Sequence, residues 1–193
     1  REFGSGGRFI GEEVAKKLGI AYYDKNIINE IAEKSGLSPE YIQENAELSP
    51  KRGLFAYAFA GRDMTGKSVE DMVYEAQRKV ILALAEKEPC VIIGRNADYI
   101  LKDTEGIQLV RAFIYAPNDV RVHNIMESHN LSEKDAKLLL DEKDKRYHKR
   151  HLALTGSNRG DRHNRDMLID SSLLGVDGTA ELIEEVAKKV FHE

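Results

Sequence analysis

Apolar side chains recur along this chain with two different periods, and the switches between them outline a succession of helices and strands. Ile10, Val14, Ala15 and Leu18 fall on one stripe of a helix whose outer face carries Glu12, Glu13, Lys16 and Lys17, and Gly19 ends it. Residues 20–23 are a short apolar run that stops at Asp24. Residues 25–34 return to helical spacing, with Ile27, Ile28 and Ile31 inward and Gly36 as the stop. Ser38-Pro39-Glu40-Tyr41 supplies the cap and first-turn proline of another helix, reaching to about residue 48. Residues 68–87 carry the longest early stripe, through Met72, Val73, Ala76, Val80 and Leu84, and Pro89 closes it.

Two later runs, residues 90–93 and 109–115, are rich in Val and Ile, the composition of strands covered on both faces, and are read as central and parallel. A short helix over residues 96–101 separates them, and a helix carrying Val120, Ile125 and Met126 follows Pro117. Ser132 caps a highly charged helix that runs to about His151 and gives way to a polar stretch at residues 155–164. Met167–Asp170 is the last strand and residues 179–191 the last helix.

Strands alternating with helices predict an α/β fold: a parallel sheet with helices on both faces, whose ligands bind at the carboxyl ends of the strands. Asp24, Gly94-Arg95-Asn96 and Asp170-Ser171-Ser172 each follow a strand, so the topology brings them to one rim. With 193 residues, 41% of them hydrophobic, the chain can bury one full core, and it is read as a single domain. A net charge of −4 argues against a general nucleic-acid binder, and no apolar run approaches the ~20 residues of a membrane span. Cys90 is the one cysteine, so no internal disulfide forms, and its flanks point to a buried strand position rather than a reactive thiol; a reducing cytoplasm is the expected compartment.

The chemistry begins at the first residues. Gly4, Ser5, Gly6 and Gly7 run directly into a helix, so consecutive backbone N–H groups can turn toward one anion at the positive end of the helix dipole, and Arg8 adds a permanent charge. This reads as a phosphate cradle. Two plainer readings stand beside it: a remnant of cloning sites in REFGS, and an ordinary glycine turn before a surface helix. A phosphate loop is fed by a strand, so several apolar residues are expected ahead of Arg1. Gly61, Gly66, Lys67 and Ser68 complete a second match, G-x-x-x-x-G-K-S. Against that loop, residues 54–60 are poor in β-branched side chains, and no strand ending in Asp follows at a suitable distance; Lys67 is therefore placed in an insert, within reach of a phosphate.

The segments REFGSGGRFIGEEVAKKLGIAYYD, CVIIGRNADYIL, RAFIYAP with Arg121, and GDRHNRDMLIDSSLLG resemble, in order and spacing, the successive signatures of the cytidylate kinase-like family, a branch of the P-loop nucleoside monophosphate kinases. The first match also speaks against the cloning-remnant reading. The resemblance covers nearly the whole chain. It implies a three-layer P-loop kinase core, a helical monophosphate-binding insert at about residues 25–87, a lid at about residues 145–165, and ATP with Mg²⁺ and a nucleoside monophosphate as ligands, CMP or dCMP favoured.

On that reading Gly4, Ser5, Gly6, Gly7 and Arg8 take the ATP phosphates, and Arg95 with Asn96 holds the acceptor, the arginine by a two-pronged phosphate contact. Asp24 either approaches the acceptor, helps hold Mg²⁺ through water, or caps the following helix. Phosphoryl transfer needs positive charge around the moving group, and Arg146, Lys149, Arg150, Arg159, Arg162 and Arg165 are the lid candidates; a solvated helix face is the alternative for any one of them. Arg8, Arg146, Arg150 and Arg159 are assigned the catalytic charge. His148, His151 and His163 lack a second ligand pair at metal spacing, and no metal site is assigned. The loop departs from the standard pattern: Gly7 stands at the lysine position, and the magnesium-binding hydroxyl is replaced. A degenerate nucleotide-binding module without turnover, and a kinase of another small acceptor, therefore remain open.

Overall fold

The computed structural model describes residues 1–24, 27–36, 38–40, 42 and 69–191. Helix α1 (Gly7–Leu18) starts from Gly6, whose φ of 75° lies in the left-handed region, and ends at Gly19, whose N–H closes on the carbonyls of Ala15 and Lys16. The chain then runs through β1 (Ala21–Tyr23), α2 (Ile27–Ser35), α3 (Val69–Lys87), β2 (Cys90–Ile92) and α4 (Ala97–Leu101). It continues through β3 (Ala112–Tyr115), α5 (Asn118–His129), α6 (Glu133–Thr155), a 3₁₀ turn (Arg162–Asn164), β4 (Met167–Asp170) and α7 (Ser171–Phe191).

Both strand pairs are parallel. β1 lies on β2 with Tyr22 opposite Val91, and β3 lies on β4 with Ile114 opposite Ile169. Helices cover both faces. On one, α1 and α7 close over β3 and β4 through Ile10, Val14, Ile114, Ile169, Ala180 and Ile183. On the other, α2 and α3 pack Ile27, Ile31, Val73, Val80 and Leu84 beneath Tyr23 and Ile92, and α4 adds Ala97, Ile100 and Leu101 against Ile81. A further cluster joins α5 to α6 through Val122, Ile125, Ala136 and Leu140 and draws in Phe3.

β2 and β3 do not pair with each other. A groove of about 290 Å³ separates them, lined by Gly11, Val14, Val91, Ile93, Ala112 and Ile114 among others. At its end the Glu2 N–H donates to the Ile114 carbonyl at 2.8 Å, so the first residues run alongside β3 before turning into the glycine loop. No helix among the described residues is long and apolar enough to cross a membrane.

Several boundaries differ from the sequence expectation for local reasons. β3 begins at Ala112 rather than at 109 because the Arg111 N–H is taken by the Asp166 carboxylate at 2.7 Å, outside the strand ladder. α6 passes His151 and reaches Thr155, whose hydroxyl donates to the His151 carbonyl before Gly156 ends the helix in the left-handed region. α7 starts at Ser171, eight residues ahead of the expected 179, and breaks internally at Gly175 (φ 65°, ψ −167°). Cys90 is half-buried rather than fully enclosed, and its thiol pKa is raised, first by burial. The second glycine-lysine loop (Gly61, Gly66, Lys67, Ser68), and most of the helix expected after Ser38, lie outside the described residues.

Candidate active site

The glycine loop sits at the carboxyl ends of β3 and β4, and neighbouring elements hold its carbonyl groups. Gly4 (φ 80°) offers its carbonyl to the Asn124 amide on α5 at 2.8 Å, and the Ser171 hydroxyl at the start of α7 donates to the Ser5 carbonyl at 2.7 Å. The Ser5 hydroxyl turns inward and donates to the carbonyls of Glu2 and Ile114. Ser5 therefore serves the loop through its backbone, not through a hydroxyl facing a ligand. A Cβ on Gly4 would lie 2.8 Å from the Arg121 carbonyl, so this position needs glycine for space as well as for φ.

Arg121 fastens the loop from below. Its buried guanidinium donates to the Phe3 carbonyl, the Asn118 side chain and both carboxylate oxygens of Asp144 on α6. With the carbonyls drawn away and no side chain capping α1, the backbone N–H groups of Gly6, Gly7, Arg8 and Phe9 have no acceptor among the described residues. Such a row at a helix N-terminus can take an anion.

Arg8 lies on the outer side of this helix start. Its Nε is 2.7 Å from Oδ2 of Asp24, which is buried where β1 ends. The Tyr22 hydroxyl donates to the Arg8 carbonyl at 3.3 Å, and its pKa is raised by burial and then by the Asp24 charge. The structure thus joins two sequence candidates, Arg8 and Asp24, that were assigned to different ligands.

After β2, Gly94, Arg95 and Asn96 all have positive φ (71°, 57° and 52°), a costly conformation for the latter two. Gln77 on α3 braces the turn, donating to the Arg95 carbonyl at 2.6 Å. A cavity of about 50 Å³ opens beside it, with Arg95, Asn96, Asp98, His151, Arg159 and Arg165 in its wall. Arg159 stacks 4.5 Å from the Tyr147 ring centre and also hydrogen-bonds the Arg1 carbonyl, while Arg165 pairs with Asp98 at 2.7 Å. With Arg165 matched by Asp98, it is Arg95, Asn96 and Arg159 around one small space that suit an oxyanion such as a phosphate.

His151 occupies the cavity wall and was not assigned a role from sequence. Burial pushes its pKa down to about 4, reinforced by the charges of Arg165, Arg159 and His148 and opposed by Asp98. The neutral ring has one N–H to give. Placed on Nδ1, it donates to the Asn96 side-chain oxygen at 2.9 Å, which leaves Nε2 buried and without a partner among the described residues.

The structure therefore brings Arg95, Asn96 and Arg159 together. Arg150 is buried on the same helix without lining the cavity, and Arg146 pairs along α6 with Glu142 at 3.4 Å. Lys149 and Arg162 are exposed. Asp170 anchors a turn, its Oδ1 accepting from the Ser172 N–H and hydroxyl. Sequence reasoning missed Asn124, a polar residue in mid-helix of a kind too common to single out; it placed Ser171 on the rim without its task, and weighed His151 only as a metal ligand.

The profile of the cytidylate kinase-like family matches residues 1–173. Cytidylate kinase of Pyrococcus abyssi is 24% identical over 192 residues, covering 98% of this chain and 92% of that protein. Cytidylate kinase of Thermoplasma volcanium is also 24% identical, covering 97% and 90%. Among solved structures, an uncharacterized protein from Eubacterium ventriosum superposes with a TM-score of 0.70 at 26% identity, covering 98% of this chain and 95% of that one. Shikimate kinase from Acinetobacter baumannii in complex with shikimate gives a TM-score of 0.50 at 15% identity over 97% and 89%, a likeness of fold alone.

Proposed function

The chain belongs to the cytidylate kinase-like family, and from that premise we propose that it transfers the γ-phosphoryl of ATP to a nucleoside monophosphate, CMP or dCMP. The observation that carries this reading is the pairing of an open N–H cradle at α1 with an arginine-lined cavity after β2, both at the carboxyl ends of the strands. Gly4 to Arg8 take the donor phosphates; Arg95 and Asn96 take the acceptor phosphate; Arg159 brings positive charge to that space from beyond α6. Such a site works by placement and charge neutralisation rather than by covalent chemistry.

Magnesium fits this donor set as a passenger on the nucleotide. Ser5, the nearest loop hydroxyl, is committed to backbone carbonyls, and the described residues hold no cluster of three or more carboxylate, histidine or cysteine groups. An ion carried by phosphate oxygens and water needs no such cage, and it supplies charge neutralisation between the phosphates. The absence of a lysine at position 7 favours a second reading, a nucleotide-binding module without turnover.

Titration with MgATP against a panel of nucleoside monophosphates, following ADP release, separates the two. The kinase reading expects ADP only with a pyrimidine monophosphate, and an Arg95→Ala variant whose acceptor KM rises by about 10- to 100-fold, the cost of about 1.5–3 kcal/mol for a charge-assisted contact. ATP binding without acceptor-dependent ADP would establish the module instead.

A further inference from the structure

We propose that Asp24 is a positioning residue for Arg8: its carboxylate fixes the guanidinium beside the N-terminus of α1, where Arg8 supplies the cation that a standard phosphate loop carries one residue earlier. This rests on the kinase reading and assigns Asp24 a task on the donor side, in place of contact with the acceptor or with magnesium.

Three observations carry it. Position 7 has no room for a side chain, since a Cβ there would lie 2.9 Å from the Arg1 Cβ and 3.2 Å from the Ile114 Cβ. The first residue able to bring a charge to the cradle is therefore Arg8. Next, the Arg8 side chain is 44% exposed whereas that of Asp24 is 8% exposed, so the carboxylate at the end of β1 is the fixed partner and the arginine the one being held. A long side chain held by an ion pair to a fixed carboxylate gives up part of its rotamer freedom before the ligand arrives. Finally, a buried carboxylate this close to the loop would repel an entering phosphate unless its charge were matched, and the 2.7 Å contact matches it.

The test is a double-mutant cycle on the complete chain, with Arg8→Ala, Asp24→Asn and the two combined. Binding of a fluorescent ATP analogue with Mg²⁺ is measured without acceptor, and kcat and both KM values are measured with it. Asp24→Asn is expected to weaken analogue binding by about 10-fold or more, with acceptor KM and the magnesium midpoint changed by less than about twofold. Added to Arg8→Ala it should cost less than about twofold further, because the partner it positions is already gone. Asp24→Glu should recover part of the loss.

Additive losses, or a defect confined to acceptor KM or to magnesium dependence, would overturn the assignment. Should Asp24→Asn unfold, the ¹⁵N resonance of the Arg8 Nε–H in the wild-type protein replaces it: it must shift on adding the ATP analogue alone, and an unmoved signal refutes the proposal. A wild type that binds the analogue without turning over any acceptor would remove the kinase reading, and the binding cycle would still decide the pair. A wild type that binds no analogue would remove both.

Discussion

Acid acts on this protein in part through one buried histidine. His151 is almost fully buried, and its pKa of about 4 in the folded state lies well below the 6.5 it has when exposed. Between those values the unfolded chain takes a proton that the folded chain refuses, so stability is complete above about pH 6.5 and falls as the pH drops toward 4. The shift corresponds to about 3 kcal/mol across that window. Glu133 and Asp166, whose pKa values are lowered by Lys137 and Arg111, also lose stability on acidification, so the histidine must be isolated by difference. Urea unfolding of wild type and His151→Gln between pH 4 and 7 should show curves that converge in acid and separate toward neutral pH. A difference independent of pH would mean that the ring is not held neutral. The sequence offered no route to this residue: it stands in a run of charge with no apolar period around it, and what removes it from solvent is the packing of α6 against the strained turn after β2.

Elements, more than residues, were readable in advance. The stripes of α1 and α3 appear as buried faces because a helix can hide only what recurs on one side, and Ile10, Val14, Val73 and Val80 all lie in the core. The break at Gly175 was less legible, since the exposed run Ser172-Leu173-Leu174 has no stripe to mark it as helix. How helices serve a distant loop was not legible at all. α5 and α7 each lend one polar side chain, Asn124 and Ser171, to turn a loop carbonyl away from the cradle. Removing either donor frees a carbonyl that can swing toward an incoming phosphate, adding a negative dipole where positive ones are needed. Asn124→Ala and Ser171→Ala should each cost about 1–3 kcal/mol of stability and weaken MgATP binding by about 10-fold, leaving acceptor KM unchanged. Calorimetric titration with ATP reads this directly. Unaltered ATP affinity in both variants would mean that the loop keeps its shape without them.

At the scale of the whole molecule, β2 and β3 face each other across a groove with no strand ladder between them among the described residues. Val91, Ile93, Ala112 and Ile114 line it, so the walls are apolar, and strand edges left facing a gap are templates for another strand. The Glu2 N–H already bonds the Ile114 carbonyl at 2.8 Å, so chain added at this end would start beside β3. Four or five apolar β-branched residues placed ahead of Arg1 would bury about 1.5–3 kcal/mol of side-chain transfer energy each, against about 1–2 kcal/mol of backbone entropy per residue. The net gain should be about 2–4 kcal/mol, raising the melting temperature by about 5–15 °C for a chain of this length. The amides that face the groove, Ile92 and Ile114 among them, should become more protected from hydrogen exchange, since those of Val91 and Ile93 already face β1. An extension of equal length made of Gly and Ser offers the same chain without the apolar surface and should give neither effect. If the apolar extension also leaves the melting temperature and the exchange rates where they were, the groove is not a strand site, and the two strand pairs are held together by α1 and its helical neighbours alone.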